Sequence, residues 1–369
     1  MAYKVPFVDY PKHYRSTESE IDAAIKEVFL GGDFILREHL RRFESNVASY
    51  LGMTHAIGVN SGTDALYLSL LAAGIGPGDE VITVSHTFLA TVGAIVNCGA
   101  RPILVDVGKD YNMDVNLIEA VITPQTRAII PVHLNGRLCD MDRIMTIAEK
   151  HNLIVVEDAA QALGATFDGK KAGSFGLTGC FSFYPAKILG TAGDGGLVAT
   201  NDEEIARRLR GLRDNGRVDW QSEVIGYGFN SRLDNLHAAI LNVKLKFVPQ
   251  WITRRRKIAA LYHNGLSDLP ELKTPPPPET DGHYYDAFQN YVVRTKRSDA
   301  LVRHLMENGV EILISFPIPM HHQKALDLAH FKLPETEAIS RETLSLPMYP
   351  ELSDDNVSYV IEVTRGFFK

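Results

Sequence analysis

The sequence predicts an α/β fold, in which a large, mostly parallel sheet is followed by a smaller α+β part. Short β-branched runs alternate with turns and helical stretches, which is typical of a parallel sheet covered by helices on both faces. After Asn201 this alternation stops. The chain of 369 residues is also too long for one simple core. The strand-like runs are Ala56–Val59, Glu80–Val84, Pro102–Asp106, Ala128–Val132, Leu153–Val156, Cys180–Phe183 and Gly196–Ala199.

Two helices are expected before the first run. Residues Ser16–Leu30 carry acidic and apolar residues at helical spacing, with Ser16 or Ser19 as the candidate cap. Arg37–Leu51 predicts a second amphipathic helix, which ends at Gly52 because glycine readily adopts the left-handed conformation of a helix end.

The part of the chain after Asn201 is expected to complete the large domain and then form the small one. We place the large domain at residues 1–247 and the small α+β domain at residues 248–369. The predicted elements are helices at Glu203–Leu212, Leu233–Arg256 (interrupted near Pro249) and Ser298–Asn308, and strands at Gln289–Arg294 and Glu311–Ser315.

Composition excludes several classes of protein. A hydrophobic content of 45% and a charged content of 22% are those of a soluble globular protein. A net charge of −7 argues against a general binder of nucleic acid or of anionic membranes, and no apolar stretch is long enough to span a membrane. The three cysteines have no metal-ligand spacing, and their odd number fits a reducing compartment. The first residues lack the pattern of a signal peptide, so we expect a cytoplasmic protein.

A lysine and an aspartate carry the strongest chemical signal. Asp158 ends an apolar run, and Lys187 follows another apolar run, two residues after Pro185. A lysine in such a place can form a Schiff base, and a carboxylate at a neighbouring strand end can keep a pyridine nitrogen protonated. This pair is typical of pyridoxal phosphate chemistry. The alternatives are that Lys187 is an exposed loop lysine and that Asp158 caps a following helix. Four glycines in Gly190–Gly196 indicate a tightly bent backbone and favour a Schiff-base lysine over an exposed one.

A phosphate site is predicted where the first run passes into a helix. Ser61, Gly62 and Thr63 form a glycine-containing turn there, and the amides of a helix start carry partial positive charge. An ordinary helix cap is the alternative. Ser182 would add a hydroxyl to the same phosphate.

Several further residues are candidates for contact with cofactor or substrate. Gln161 could reach the ring hydroxyl of the cofactor or be a solvated helix residue, and Phe88 could stack on the ring or belong to the core. His321 and His322 have no sequence neighbours at metal-ligand spacing, so no metal is predicted. Asn230 belongs to a polar cluster, and the candidate substrate contacts are Tyr184, Arg232 and His321.

Together these motifs resemble the DegT/DnrJ/EryC1/StrS family of pyridoxal-phosphate-dependent sugar aminotransferases. The resemblance extends over nearly the whole chain, in ordered motifs. The motifs are Pro6–Asp9, Phe34–Leu36, Asn60–Leu66, Gly76–Ile82, Ile130–Leu134, Glu157–Ala162, Phe181–Lys187, Gly193–Gly196, Asn230–Asp234 and Pro317–His321.

The resemblance implies the aspartate aminotransferase fold (fold type I) and a homodimer whose active sites lie at the subunit interface. It makes Lys187 the Schiff-base lysine and Asp158 the partner of the pyridine nitrogen. It further implies that Gln161 lies near the ring oxygen, that Phe88 stacks on the ring, that Ser61, Gly62, Thr63 and Ser182 surround the phosphate, and that Asn230 reaches the phosphate in the neighbouring subunit.

The same resemblance implies transfer of an amino group from an amino acid, glutamate by family likeness, to a nucleotide-linked keto sugar. Lysine at position 187 favours transamination over dehydration, because related sugar dehydratases carry histidine there. The form of Gly193–Gly196 favours a 3-keto sugar; a 4-keto sugar is the alternative. A non-catalytic regulator is a further alternative. Departures from the family pattern at Arg37, Asn135 and Ser315–Phe316 leave the exact sugar open.

Overall fold

The computed structural model describes residues 3–219, 223–279 and 282–369. The α-helices are α1 (Tyr10–Arg15), α2 (Glu18–Gly31), α3 (Glu38–Leu51), α4 (Gly62–Ala72), α5 (Leu89–Asn97), α6 (Met141–His151), α7 (Glu203–Arg213), α8 (Asn235–Leu245), α9 (Val248–Leu266), α10 (Ser298–Glu307), α11 (Pro334–Glu342) and α12 (Asp354–Phe367). The strands are β1 (His55–Val59), β2 (Glu80–Val84), β3 (Arg101–Val105), β4 (Thr126–Ile129), β5 (Ile154–Asp158), β6 (Thr166–Phe167), β7 (Lys170–Lys171), β8 (Thr178–Ser182), β9 (Gly196–Thr200), β10 (Tyr284–Tyr285), β11 (Tyr291–Arg294) and β12 (Thr343–Leu346).

The large sheet has the order β1-β9-β8-β5-β4-β2-β3. Strands β3, β2, β4, β5 and β8 pair in parallel, whereas β9 runs antiparallel to both of its neighbours. The expected large, mostly parallel sheet is therefore confirmed, and each predicted run of the first half overlaps one of its strands. Because β9 is reversed between β1 and β8, the carboxyl ends of β1, β8 and β5 lie at one edge of the sheet.

Helices cover both faces of this sheet. Successive residues of a strand point to opposite faces, and accordingly Val81 and Ile82 of β2 belong to different buried clusters. One cluster includes side chains of α3, α6 and α8, and the other includes side chains of α4, α5 and α7. The sheet is thus buried on both sides, as the near-continuous apolar runs predicted.

The C-terminal part has its own buried cluster. It packs β11 and β12, which pair antiparallel, against α9, α10 and α12. Helix α9 joins the two parts: its first turns, with Val248 and Trp251, pack into the core of the large sheet, and its later turns, with Ile258 and Tyr262, pack into the C-terminal cluster. The boundary at residue 248 stays a prediction.

Two predicted features are wrong in detail. The N-cap of α2 is Thr17 rather than Ser16 or Ser19, because the Ser16 hydroxyl donates to the His13 carbonyl (2.7 Å) and is occupied elsewhere. The helical region predicted over Leu233–Arg256, with an interruption near Pro249, is confirmed as two helices, α8 and α9. The proline lies in the first turn of α9, where its missing N–H has no helical partner to lose.

The predicted strand Glu311–Ser315 is also wrong. Only Leu313 pairs there, as an isolated bridge to Ser345. The backbone turns into the left-handed region at Phe316 (φ 53°), and Pro317 and Pro319 follow, so the segment cannot extend a ladder. Helix α3 agrees with its prediction, since Gly52 ends it with a φ of 73°.

Among the described residues, no helix combines the length and the hydropathy needed to cross a membrane.

A buried ion pair ties α3 and α7 to the edge strand β1. The Arg213 guanidinium donates to the Glu44 carboxylate and to the Gly58 carbonyl (2.9 Å), and the same carboxylate accepts the Gly58 N–H (2.8 Å). Arg213 and Glu44 are both largely buried. Removing one member of such a pair leaves the other charge buried without compensation.

We therefore expect Arg213→Leu to lower the free energy of unfolding by about 3 kcal/mol, measured by urea denaturation. Arg207→Leu is the control, because Arg207 lies on the same helix but forms only an exposed pair with Glu204, and it should cost about 0.5 kcal/mol or less. Equal losses in the two variants would contradict the role given to the buried pair.

Candidate active site

The edge of the sheet where β1, β5 and β8 end brings the predicted site residues together. Gly196 pairs with both Val59 at the end of β1 and Ser182 at the end of β8. Asp158 at the end of β5 pairs with Cys180 of β8. Ligands in open α/β sheets bind outside the carboxyl ends of the strands, so a site is expected at this edge.

The start of α4 forms a cradle for an anion. The Ser61 hydroxyl caps the helix by accepting the Asp64 N–H (3.1 Å). The amides of Gly62 and Thr63 lie in the first turn, where no carbonyl of the same helix can accept them, and this end of the helix dipole is positive. A Cβ on Gly62 would lie 2.7 Å from the Cβ of Ser182. Ser182 therefore packs directly against the helix start, and the four residues fit a phosphate group.

The glycine-rich loop after Lys187 allows close approach of the backbone rather than unusual φ angles. A Cβ on Gly196 would lie 2.2 Å from the Ser61 carbonyl oxygen, and one on Gly190 would lie 2.5 Å from the Pro185 carbonyl oxygen. Neither glycine has a positive φ. The glycines thus let the loop pass directly beneath the cap of α4 and beside the turn that carries Lys187.

Asp158 is a buried carboxylate with a defined set of donors. Its side chain accepts the Thr91 hydroxyl (2.7 Å) and the Ala160 N–H (3.2 Å), and only 6% of the residue is exposed. The Thr87 hydroxyl lies 2.8 Å from the Thr91 hydroxyl. Because Thr91 donates its hydrogen to Asp158, Thr87 must be the donor between the two threonines. Burial raises the pKa of Asp158, while the Thr91 hydrogen bond, the Ala160 N–H and the nearby Lys187 ammonium act to lower it.

The segment after Asp158 is a turn, not a helix. The Ala162 N–H donates to the Ala159 carbonyl (2.9 Å), and no helix follows β5 before β6 in this fully described stretch. The alternatives that made Asp158 a helix cap and Gln161 a solvated helix residue are therefore wrong.

Lys187 lies in a tight turn and is only partly exposed. Its backbone N–H donates to the Tyr184 carbonyl (2.9 Å). Burial lowers the pKa of Lys187 below that of an ordinary lysine, and the neighbouring Asp158 carboxylate acts in the opposite direction. The alternative of a solvent-exposed loop lysine is wrong. An amine in this environment loses its proton more easily than a surface lysine, which both nucleophilic attack and proton transfer require.

The loop beyond Lys187 is also fixed. The Thr191 N–H donates to the Phe183 carbonyl (2.8 Å), and the Lys244 ammonium donates to the Gly190 carbonyl. Lys244 is buried, and burial lowers its pKa to about 8. Hydrogen bonds therefore hold both the turn that contains Lys187 and the backbone that follows it.

Gln161 is oriented by the chain rather than free in solvent. Its side-chain oxygen accepts the N–H of Asn135 (2.8 Å), and Asn135 has a left-handed φ of 58°. Because the oxygen is occupied, the amide NH₂ group of Gln161 is the part that can donate to a ligand. That orientation suits contact with a phenolate oxygen.

Two aromatic side chains of the predicted set are exposed. Phe88, the residue before α5, is 63% exposed, and Tyr184 is 52% exposed. The alternative that placed Phe88 in the core is wrong. Both side chains are available for contact with a ligand or with another chain.

Asn230 and Arg232 flank a serine that contacts the start of α4. Between them, the Ser231 hydroxyl donates to the Asp64 carboxylate (2.7 Å). Asn230 itself is exposed. Arg232 donates to Asp214 (3.0 Å), and the same carboxylate oxygen also contacts Arg217 (3.4 Å). A substrate contact by Arg232 would have to compete with this ion pair.

His321 is buried in a polar cluster. Its Nδ1 lies 2.7 Å from the Ser85 hydroxyl, and its Nε2 lies 3.5 Å from a carboxylate oxygen of Glu337. His322 Nε2 lies 3.8 Å from the same oxygen. The three side chains are of types that bind divalent metals. Glu337 could not be inferred from the sequence, because it lies on α11 and not at metal-ligand spacing from the histidine pair. That no metal binds stays a prediction.

Sequence reasoning missed two buried groups that shape the site. Thr91 lies one helical turn after Thr87 and holds Asp158. Glu157, the neighbour of Asp158, accepts the N–H groups of Gly173, Phe175 and Gly176 (2.6–2.8 Å) and contacts His133 Nε2 (2.9 Å). A carboxylate inside an apolar strand was the available signal for Glu157. Thr91 offered none, because a threonine in an apolar helix is common.

The donor set fits pyridoxal phosphate. The helix start with Ser182 suits its phosphate, the buried Asp158 its pyridine nitrogen, the oriented Gln161 its ring oxygen, and the amine of Lys187 its aldehyde. The individual roles of these residues stay predictions.

Residues 15–365 match the DegT/DnrJ/EryC1/StrS aminotransferase family. A UDP-N-acetyl-3-dehydro-α-D-glucosamine 3-aminotransferase of Acidithiobacillus ferrooxidans is 43% identical, over 98% of this chain and 97% of that protein. A dTDP-3-amino-3,4,6-trideoxy-α-D-glucose transaminase of Streptomyces venezuelae is 42% identical, over 98% and 96%. A Geobacillus stearothermophilus protein described as a pleiotropic regulatory protein is 41% identical, over 99% of both.

Solved structures agree. The crystal structure of S. venezuelae DesV in complex with a ketimine intermediate superposes with a TM-score of 0.95 at 41% identity, over 100% of this chain and 99% of that one. A Brucella abortus aminotransferase of the same family superposes with a TM-score of 0.93 at 38% identity, over 98% and 99%. The expected family and fold are confirmed.

Thr91→Val tests the support given to Asp158. The variant keeps the shape of the side chain and removes one hydrogen bond to a charged group, so the pKa of Asp158 should rise further. We expect binding of pyridoxal phosphate to weaken about tenfold, measured by equilibrium titration of the cofactor-free protein.

Thr364→Val is the matched control. Thr364 is also a buried helical threonine, and its hydroxyl donates to the Val360 carbonyl (2.7 Å) in α12. It should leave cofactor affinity unchanged. Wild-type affinity in Thr91→Val would remove Thr91 from the site.

Proposed function

This chain belongs to the DegT/DnrJ/EryC1/StrS aminotransferase family and is a pyridoxal-phosphate-dependent aminotransferase, and we propose that it moves an amino group from glutamate to carbon 3 of a nucleotide-linked keto sugar. The observation that carries this proposal is the placement of Asp158 and Lys187. A buried carboxylate held by Thr91 and a partly desolvated amine lie beside the anion cradle of α4.

Two features support a 3-keto sugar rather than a 4-keto sugar. The proteins from A. ferrooxidans and S. venezuelae, at 43% and 42% identity, are named for amination at carbon 3. The sequence Gly193–Gly196 also has the form that favours this class. The nucleotide and the remaining substituents of the sugar are left open by Asn135 and by Ser315–Phe316, which depart from the family pattern.

The overall exchange is balanced between the two substrates. The α-carbon of the amino acid is oxidised to a carbonyl, and the keto carbon of the sugar is reduced to a carbon that bears the amine. Two electrons and the amino group move together; one water is consumed when the 2-oxo acid leaves, and one is released when the sugar is aminated.

Pyridoxal phosphate, when bound, supplies a carbonyl that links to amines and a pyridine ring that withdraws electrons. Asp158 would favour the protonated pyridine nitrogen, and a cation there would in turn favour the carboxylate form of Asp158. Lys187 Nζ would remove the proton from the α-carbon of the amino acid. In the second half of the cycle it would deliver a proton to the keto carbon of the sugar.

The lowered pKa of Lys187 serves this proton transfer. A lysine with an ordinary pKa near 10.5 is almost entirely charged at neutral pH and cannot accept a proton. Because burial lowers the pKa of Lys187, its neutral fraction at a given pH is larger. The nearby Asp158 acts in the opposite direction and limits this effect, so the amine keeps enough basicity to accept the proton.

We further propose a homodimer with shared active sites. Large apolar side chains are exposed on the single chain, and such groups mark surfaces that bind another protein. They include Phe29, Leu30, Phe88, Tyr184, Tyr227 and Phe229. Phe88 and Tyr184 are also candidate site residues, so a surface that covers them would enclose the site. A cytoplasmic location is supported by Cys98, Cys139 and Cys180, which are free and buried.

The first half-reaction provides the direct test. Wild-type protein loaded with pyridoxal phosphate should lose its visible absorbance band on addition of glutamate and release one equivalent of 2-oxoglutarate per site. Lys187→Ala should do neither at a comparable rate, because it lacks the amine that moves the proton. A panel of 3-keto and 4-keto nucleotide sugars added to the glutamate-treated protein should restore the band only with the 3-keto members.

Restoration of the band by 4-keto sugars alone would replace the 3-keto proposal with the 4-keto alternative. No reaction with glutamate or any other amino acid would contradict the aminotransferase and favour a regulator, the description given to the G. stearothermophilus relative. Conversion of a keto sugar without an amino donor would indicate a dehydratase.

Shared sites predict complementation between two impaired variants. Asn230→Ala should turn over more slowly at limiting cofactor, and Lys187→Ala should be inactive. If Asn230 serves the site of the partner subunit, a mixed dimer has one intact site, so an equimolar mixture that is unfolded and refolded should recover about a quarter of the wild-type sites by random pairing. No recovery above the level of the separate variants would place Asn230 in its own subunit's site or outside any site.

A further inference from the structure

Gln289 contacts the turn that carries Lys187 on both sides of the lysine. Its side-chain oxygen accepts the N–H of Ile188 (2.9 Å), and its side-chain NH₂ group donates to the carbonyl of Ala186 (2.8 Å). Gln289 is buried. One side chain from the C-terminal part of the chain therefore fixes the peptide groups immediately before and after Lys187.

The segment around Gln289 is itself held in place. The buried Arg255 of α9 donates through one Nη to the carbonyls of Phe288 (3.1 Å), Gln289 (3.2 Å) and Met348 (2.9 Å). Phe288 has a left-handed φ of 49°, which these contacts enforce. The backbone of Gln289 is thus set by a charged group that cannot leave its site without losing three hydrogen bonds.

A close approach fixes the same segment against the turn that follows β4. The Ala287 N–H donates to the Gly136 carbonyl (2.9 Å). A Cβ on Gly136 would lie 2.8 Å from the backbone nitrogens of both Phe288 and Gln289. Only glycine allows these two segments of the chain to meet here, and the φ of Gly136 is also positive, at 92°.

The next residue reaches the other predicted side of the cofactor. The Asn290 side chain donates to the side-chain oxygen of Asn135 (3.2 Å), and the N–H of Asn135 holds the side-chain oxygen of Gln161. Gln289 therefore contacts the peptide groups beside Lys187, and Asn290 is linked through Asn135 to Gln161. Lys187 and Gln161 are the residues expected to meet the aldehyde and the ring oxygen of pyridoxal phosphate.

We propose that Gln289 is a positioning residue for Lys187, a role that rests on the proposed function because it takes Lys187 as the reacting amine. Gln289 touches the peptide groups beside Lys187 rather than a reacting atom. It holds the turn closed, so that the amine stays partly desolvated and directed toward Asp158. Through Arg255, the position of Lys187 then depends on the packing of the C-terminal part.

The geometry explains why glutamine suits this position. The two contacts need an acceptor for the Ile188 N–H and a donor for the Ala186 carbonyl on one planar group of fixed spacing. A carboxylate could accept from Ile188 but would repel the Ala186 carbonyl, and an apolar side chain would leave both peptide groups buried without partners.

The test compares Gln289→Met with wild type in the cofactor-free protein. The variant keeps the length of the side chain and removes both hydrogen bonds, so the turn should open and Lys187 become more hydrated. We expect the pKa of Lys187 to rise toward that of an ordinary lysine, measured as the pH dependence of its modification by trinitrobenzenesulfonate followed by peptide mass spectrometry. Binding of pyridoxal phosphate should weaken about tenfold.

Tyr262→Phe is the matched control. Tyr262 lies in the same C-terminal cluster, is fully buried, and donates to the Pro347 carbonyl (3.0 Å). Its loss should lower thermal stability without changing the pKa of Lys187 or cofactor affinity. If Tyr262→Phe moves both quantities as far as Gln289→Met does, the effect is general destabilisation and the positioning role is overturned.

Gln289→Glu adds a readout that simple packing would not give. A protonated glutamic acid can supply the donor to Ala186, and a carboxylate cannot. The ratio of the cofactor affinity of Gln289→Glu to that of wild type should therefore be close to one at pH 5. At pH 8 this ratio should fall toward the value for Gln289→Met. A ratio independent of pH would contradict the hydrogen-bond mechanism.

The outcomes separate this inference from the proposed function. If wild type binds cofactor and reacts with glutamate while Gln289→Met has the wild-type pKa at Lys187, the positioning role fails and the aminotransferase stands. If wild type shows no reaction with any amino acid, the proposed function fails, and the change in Lys187 reactivity still reports whether Gln289 sets the turn.

Discussion

The candidate site depends on one close contact, where the cap of α4 meets the ends of β8 and β9. The Ser61 carbonyl lies against the α-carbon of Gly196, and the α-carbon of Gly62 lies against the side chain of Ser182. Without this contact the helix start would not face the strand ends, and the amides of α4 and the carboxylate of Asp158 would not open toward the same space. The phosphate cradle and the lysine turn are therefore parts of one packed structure.

Two neighbouring carboxylates of β5 show how their surroundings divide their roles. Glu157 accepts three backbone N–H groups and contacts His133, so its hydrogen-bonding capacity is used by the fold. Asp158 points to the opposite face, as successive strand residues must, and accepts only Thr91 and Ala160 among the described residues. The first carboxylate stabilises the loop after β7, and the second retains capacity for a ligand.

Local patterns predicted the strands of the large sheet, the turn with Lys187 and the helix start at Gly62, because each depends on residues close together in the sequence. The wrong strand at Glu311–Ser315 shows the limit, since the apolar run makes a single bridge to β12 before the backbone turns away at Phe316. Gln289 could not be predicted from the sequence, for a different reason. Its partners lie 101 and 103 residues away, and a single buried glutamine has no periodicity that could reveal them.

The reversed strand β9 also has a consequence for how the molecule is made. Among the described residues, edge strand β1 has β9 as its one neighbour in the large sheet, so His55 can pair there only after Thr200 has been synthesised. Long-range pairings of this kind close large loops and form slowly. During synthesis the N-terminal helices and β1 emerge first, yet β1 can join the sheet only after about 145 further residues have left the ribosome. Until then an apolar strand is unpaired, and a nascent chain is most exposed to misassembly in that interval.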